Sequence, residues 1–270
     1  KMTTGFGEGD LIVIAARPSM GKTAFALNIV QKALDQKRGV VFFSLEMPAE
    51  QLMLRLLSIK TSMPLQNLRV GDLNDDEWSR MASACDSMAK TKLFVDDSGM
   101  VNINQLRAKM RKLKSKHPEI DLIIIDYMQL MNGSGSKDRH LEISEISRGL
   151  KLLARELNIP IVALSQLNRG LESRSDKRPK LSDLRESGAI EQDADIIMFI
   201  YREAVYRIKE EKEKEEAARK EGKDYRASFE IKNEEDAEII IGKQRNGPTG
   251  VVRLVFQKHC TRFVDKHKEE

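Results

Sequence analysis

The chain encodes an α/β fold, a mostly parallel, twisted sheet flanked by helices, and three observations carry that reading. Five apolar runs are continuous rather than alternating: Leu11–Ala15, Val40–Leu45, Leu122–Ile125, Ile161–Leu164 and Ile196–Ile200. Runs of this kind are buried on both faces, as in a parallel sheet covered by helices. Helical patterns at 23–36, 49–60, 75–89, 103–116 and 140–157 alternate with them. That alternation implies a doubly wound sheet with ligands at the carboxyl ends of its strands. Finally, the first apolar run leads straight into a phosphate-binding loop.

That loop is AARPSMGKT, residues 15–23. Between a strand and a helix, the backbone N–H groups of Ala16, Arg17, Ser19, Gly21 and Ala24 can wrap the phosphates of a nucleoside triphosphate, aided by the positive end of the helix dipole. Lys22 is placed to reach the β- and γ-phosphates and the Thr23 hydroxyl to sit on Mg²⁺. Ala16 stands where a first glycine is usual.

The second strand ends at Glu46, just before Pro48 opens a helix. A carboxylate there is aimed at a γ-phosphate and within reach of an attacking water. Asn74-Asp75-Asp76-Glu77 and Asn102 read as helix N-caps. Asp126 closes the run Leu122–Ile125, where it can hold the hydration shell of Mg²⁺. Gln166 closes another run and is placed to hydrogen-bond the γ-phosphate.

Residues 203–236 form a charged, helical insertion: Glu203–Gly222 carries seven acids and six bases. Glu210/Lys214, Glu215/Arg219 and Glu216/Lys220 fall at helical spacing. Glu238–Gly242 and Val251–Phe256 then read as strands of a C-terminal β-hairpin, with Asn246-Gly247 at its tip. Its turn carries Lys243 and Arg245. Phosphoryl transfer calls for a cation opposite the transferred group, worth on the order of 10³–10⁵ in rate. No arginine near the phosphate loop is an obvious candidate, so these two are expected to enter the site of a neighbouring subunit.

Composition limits the rest. The 270 residues carry a net charge of +4, with 40% hydrophobic and 5% aromatic residues. Cys85 and Cys260 form no Cys-x-x-Cys pair and read as packing thiols in a reducing compartment. The four histidines have no metal-ligand spacing. No run approaches the ~20 apolar residues that span a bilayer, and no signal peptide is visible. The expectation is a soluble, cytoplasmic protein with no membrane partner, and the abrupt start suggests a piece of a longer chain.

Charge distribution is more telling than net charge. Residues 169–185 contain six cations, Arg169, Arg174, Lys177, Arg178, Lys180 and Arg185, against Glu172, Asp176 and Asp183. No Phe, Tyr or Trp occurs from Met128 to Met198. Together with Asn132–Lys137, this stretch reads as loops that grip phosphates without stacking on bases. Binding of nucleic acid would then ignore base sequence and weaken with salt.

Taken in order, AARPSMGKT (15–23), FFSLEM (42–47), IIIDYMQLM (123–131), ALSQLNR (163–169), DLRESGAIEQDAD (183–195) and GKQRNGPTG (242–250) resemble the C-terminal motor domain of the DnaB-type replicative DNA helicases, a RecA-like P-loop NTPase. The resemblance covers almost the whole chain as one domain, 1–270, and extends to Ala16. It implies an ATP-dependent helicase that moves 5′ to 3′ on single-stranded DNA, with ATP and Mg²⁺ as its cofactors. Lys22 and Thr23 would hold phosphate and metal, Glu46 would polarise the water, and Asp126 would support the metal. Arg55 would lie by the adenine, and Gln166 would sense the γ-phosphate and pass it to Arg169. Arg169, Glu186 and Gly188 would contact the strand backbone, and Lys243 and Arg245 would act in trans within a homo-hexamer.

A primase and a helicase loader are implied partners. The family's N-terminal domain and linker helix find no match in these residues, so the stretch is expected to form hexamers poorly and hydrolyse ATP feebly. A strand-exchange ATPase and a non-hydrolysing nucleotide switch are the rival readings. Unwinding of a forked duplex excludes the first, and turnover stimulated by single strands excludes the second.

Overall fold

In the computed structural model, residues 2–3, 5–99, 102–131, 139–184, 187–221, 225, 229–230 and 232–266 are described. Strand β1 (Leu11–Ala16) is buried along its whole length. It pairs in parallel with β5 (Ile161–Gln166) on one side and β6 (Ile196–Tyr201) on the other. Beyond β5 lie β4 (Ile120–Asp126), β2 (Gly39–Ser44) and β3 (Leu93–Asp96), all parallel. Beyond β6 the ladder turns antiparallel through β7 (Glu234–Gln244), β8 (Gly250–Gln257) and β9 (Arg262–Asp265). The resulting nine-stranded order is β3-β2-β4-β5-β1-β6-β7-β8-β9.

The continuous apolar runs follow from cover on both faces. Leu11, Val13 and Ala15 point into a core shared with α5 (Ile103–Lys116) and α6 (Arg139–Leu157). Ile12, Ile14 and Ala16 point into a second core with α1 (Lys22–Asp35) and α2 (Ala49–Thr61). Alternate residues of a strand face opposite ways, so a strand with two cores beside it needs apolar residues at every position. The predicted caps form as two reciprocal boxes. Asn74 Oδ1 accepts from Glu77 N–H at 2.9 Å while Asn74 N–H donates back at 3.0 Å, opening α4 (Asp75–Ala89). Asn102 and Gln105 do the same at the head of α5.

Several elements depart from expectation. Strands β3 and β9 have four residues each and carry no buried run long enough to register. Helices α3 (Leu65–Val70) and α7 (Ser187–Asp193) are also short, with six and seven residues. Among the described residues the charged segment is helical as α8, Glu203–Lys220, and β7 takes over at Glu234 rather than after 236. Its first residues, Glu234-Glu235-Asp236, look unlike a strand, yet Ala237, Ile239 and Ile241 carry its buried face. On α8, Glu210 reaches Lys177 at 2.6 Å instead of Lys214, which takes Glu211 at 3.4 Å. Cys260 is buried as a packing thiol, but Cys85 is exposed on α4, so only one of the two thiols packs. Among the described residues no helix is long and apolar enough to cross a membrane.

Candidate nucleotide site

The parallel strands deliver their carboxyl ends to one edge of the sheet, and the predicted residues gather there. Ala16 ends β1 in register with Gln166, the last residue of β5. It is buried strand backbone with Leu167 N–H donating to its carbonyl at 3.2 Å. A strand conformation does not require glycine, which explains why alanine is accepted there. Two residues of the loop do adopt left-handed backbone, Ser19 (φ 68°) and Gly21 (φ 93°). That backbone favours glycine at 21, where a Cβ would also lie tightly, 3.2 Å from the Phe263 ring.

Helix α1 starts at Lys22, and Thr23 Oγ1 donates to Asp126 Oδ2 at 2.6 Å. Asp126 is 1% exposed, and its Oδ1 has no hydrogen-bond partner. Burial raises the Asp126 carboxyl above the ordinary carboxylate range, against the Thr23 hydrogen bond and the Lys22 charge. Burial likewise lowers Lys22, against the charges of Asp126 and Glu46. An unpartnered buried carboxylate oxygen beside a threonine hydroxyl fits a hard divalent cation bound largely through water and phosphate. Among the described residues no cluster of three His, Cys, Asp or Glu side chains offers a full protein cage.

Glu46, two residues past β2, is exposed and within electrostatic reach of Lys22, Asp126 and Tyr127. Arg55, on α2, is lowered by burial, then by Arg69, with Asp126 pulling the other way. Of its charged neighbours, Asp126 belongs to the site. Gln166 follows Ser165, and Gln129 locks both: its side chain donates to Ser165 Oγ at 2.7 Å and accepts from Gln166 N–H at 3.2 Å.

Lys243 and Arg245 stand elsewhere. Strand β7 runs against β6, so Lys243 pairs with Ile197 at the amino end of the parallel strands. A six-residue strand spans roughly 20 Å, and that length separates these cations from the loop of their own chain. Lys243 Nζ donates to the carbonyls of Glu191 and, at 2.6 Å, Ala194. Arg245 donates to Gln192 O at 2.6 Å and pairs with Asp195 at 3.5 Å. Both cations thus cap the carboxyl end of α7, where cations are favoured.

The strand-gripping expectation needs correction. Arg174 pairs with Asp183 at 2.9 Å, Lys177 with Glu210 at 2.6 Å and Arg178 with Glu238 at 2.9 Å. Three of the six cations are therefore committed within the chain, while Arg169 and Lys180 stay exposed. Gly188 is exposed in the first turn of α7, with open space around its missing side chain. Arg185, Glu186 and Asn132–Lys137 lie outside the described residues.

Sequence reasoning missed Arg202, Tyr127 and Glu172. Arg202 is 5% exposed at the end of β6, donates to Ser19 O at 3.1 Å and pairs with Glu235. The Tyr127 ring lies 4.3 Å below Lys22 Nζ. The only sequence signal for either was its place just beyond an apolar run.

The sequence model of the DnaB-like helicase C terminal domain matches residues 1–265. The chain belongs to that family. DnaB-like relatives include the replicative DNA helicase DnaB of Helicobacter pylori, 49% identical over 99% of this chain and 59% of the relative. The replicative DNA helicase DnaC of Bacillus subtilis is 48% identical over 98% of this chain and 54% of its own length. The chain thus spans between half and two thirds of these curated relatives. Among solved structures, one ATPase domain superposes with a TM-score of 0.85 at 38% identity, covering 98% of this chain and 88% of that one. A DnaB-like replicative helicase studied with primase gives 0.84 at 38% identity, covering 97% and 59%. The mixed sheet with antiparallel C-terminal strands is the one these structures share.

Proposed function

We propose that this chain is the motor domain of a replicative DNA helicase, which hydrolyses ATP at subunit interfaces to move 5′ to 3′ along single-stranded DNA and part the duplex at a replication fork. The observation that carries the reading is the two-ended placement of the machinery. Lys22, Thr23, Asp126, Glu46 and Gln166 meet at the carboxyl edge of the sheet, and Lys243 and Arg245 stand a strand length away. A ring places the hairpin of one subunit against the loop of the next. Charge on the transferred phosphoryl group then meets Lys22 from one chain and Arg245 from the other.

Each residue has a task set by where it stands. Thr23 and Asp126 would hold Mg²⁺ through its water shell, and the ion would supply neutralisation of phosphate charge. Glu46 orients the attacking water. Gln166, fixed by Gln129, reads the γ-phosphate at the end of the strand that continues into Arg169. Arg169 and Gly188, with Glu186, contact the strand backbone. A homo-hexamer, a primase, a helicase loader and a cytoplasmic place at the fork complete the proposal, by likeness to the family.

Mixing subunits tests it. Arg245→Ala chains and Lys22→Ala chains are each inactive, and a mixture regains ATP turnover where an intact hairpin faces an intact loop. If the mixture stays inactive while co-assembling, supply in trans is wrong.

A further inference from the structure

The phosphate loop grips the candidate strand-binding segment through the side chain of Arg17. Residues 167–172 form an arch. At one foot, Leu167 N–H donates to Ala16 O at 3.2 Å, and Arg17 Nη1 donates to Leu167 O at 2.8 Å. At the other, Arg17 Nε and Nη2 both reach Glu172 Oε1 at 2.7 Å. Between the feet Leu171 is buried, and Arg169 and Gly170 are exposed at the crown. The remaining Glu172 oxygen takes Lys209 of α8 at 3.0 Å.

We infer that Arg17 and Glu172 form a clasp that transmits the state of the phosphate loop to the crown bearing Arg169, with Glu172 as a positioning residue. The clasp presupposes the helicase reading above. Arg17 is 7% exposed, and its planar guanidinium bridges both feet as one rigid fork. Pro18 follows it, which fixes one backbone dihedral and restricts Arg17 itself. A shift of the loop as it closes on phosphate therefore moves the arch instead of being absorbed in free rotations. This path is separate from the one through Gln166, which begins at the γ-phosphate and runs along β5.

Coupling is a ratio, and that makes the clasp testable. The dissociation constant of a non-hydrolysable ATP analogue is measured by anisotropy on the full chain, with and without saturating oligothymidylate. Allosteric ratios of this kind run from about 5 to 150. Glu172→Gln is expected to bring the ratio at least about fivefold closer to one, while affinity without the strand shifts less than about threefold. Glu172→Asp keeps the charge opposite Arg17, so the arch stays folded and the ratio falls part-way.

A merely structural role would shift both dissociation constants together and leave the ratio at its wild-type value in both variants. That result overturns the clasp. If Glu172→Gln does not fold, Glu172→Asp decides alone: a lowered ratio supports the clasp and an unchanged one overturns it. A ratio of one in the unaltered protein would instead sink the helicase reading, and the clasp with it.

Discussion

Glu235→Gln is the perturbation whose size the structure fixes best. Arg202 and Glu235 are each 5% exposed, and the pair is backed by Lys258 and by the Phe256 ring 3.9 Å from the guanidinium. The substitution leaves a buried guanidinium uncompensated, while the partly exposed Lys258 can turn to water. Breaking a buried pair in this way costs about 3–5 kcal/mol, against about 0–1 for an exposed pair. At about 2–4 °C per kcal/mol for a chain near this size, Tm falls on the order of 10 °C. Arg202 also donates to Ser19 O within the left-handed part of the phosphate loop, so triphosphate binding weakens too. Excess nucleotide then restores part of the lost Tm, because ligand that binds only the folded state stabilises it. Thermal melts with and without ATP measure both effects. Replacing the whole pair, Arg202→Met with Glu235→Leu, should recover much of the loss, since no buried charge remains. A loss under ~1 kcal/mol for Glu235→Gln, or a double variant no better than the single, refutes the reasoning.

Two further outcomes follow from the electrostatics. Burial lowers Lys22 below its ordinary 10.5; between the folded and unfolded values the unfolded chain binds more protons, so the apo protein gains stability as pH rises through that window. The difference in Tm between wild type and Lys22→Met, followed from neutral to alkaline pH, should show this gain, and a flat difference contradicts it. For single-stranded DNA, the exposed Arg169 and Lys180 alone predict a salt slope per subunit of about −1.4, against about −4 if all six cations of the stretch bound phosphate. Titrations at several salt concentrations separate the two.

How much was legible in the sequence depended on the range of the interaction. Local signals served well. The boxes at Asn74 and Asn102 each close within three residues, and the apolar runs needed only the rule that a twice-covered strand is apolar throughout. The ends of those runs then placed Asp126 and Gln166, because a residue just past a buried parallel strand has only the carboxyl edge to occupy. What failed were polar contacts between distant segments, which leave no period. Arg17 meets Glu172 across 155 positions, and Arg202 meets Glu235 across 33. The same blindness explains the basic loop. Counting charges along 169–185 gave a phosphate grip, but three of its cations find acids on the loop itself, on α8 and on β7.

The hairpin shows both sides of this limit. The turn chemistry of Asn246-Gly247 placed Lys243 and Arg245 together at one end of two strands, but which end of the sheet they occupy depends on β7 running against β6. That orientation carries the mechanistic weight. Had β7 run parallel to β6, its end would lie beside its own Lys22 and a single subunit could complete the site. Running antiparallel, it takes both cations to the far edge, where within the chain they satisfy the last carbonyls of α7. Helix α7 carries Gly188 in its first turn, so the two cations proposed to act in trans rest on the same short helix as a residue proposed to meet the strand.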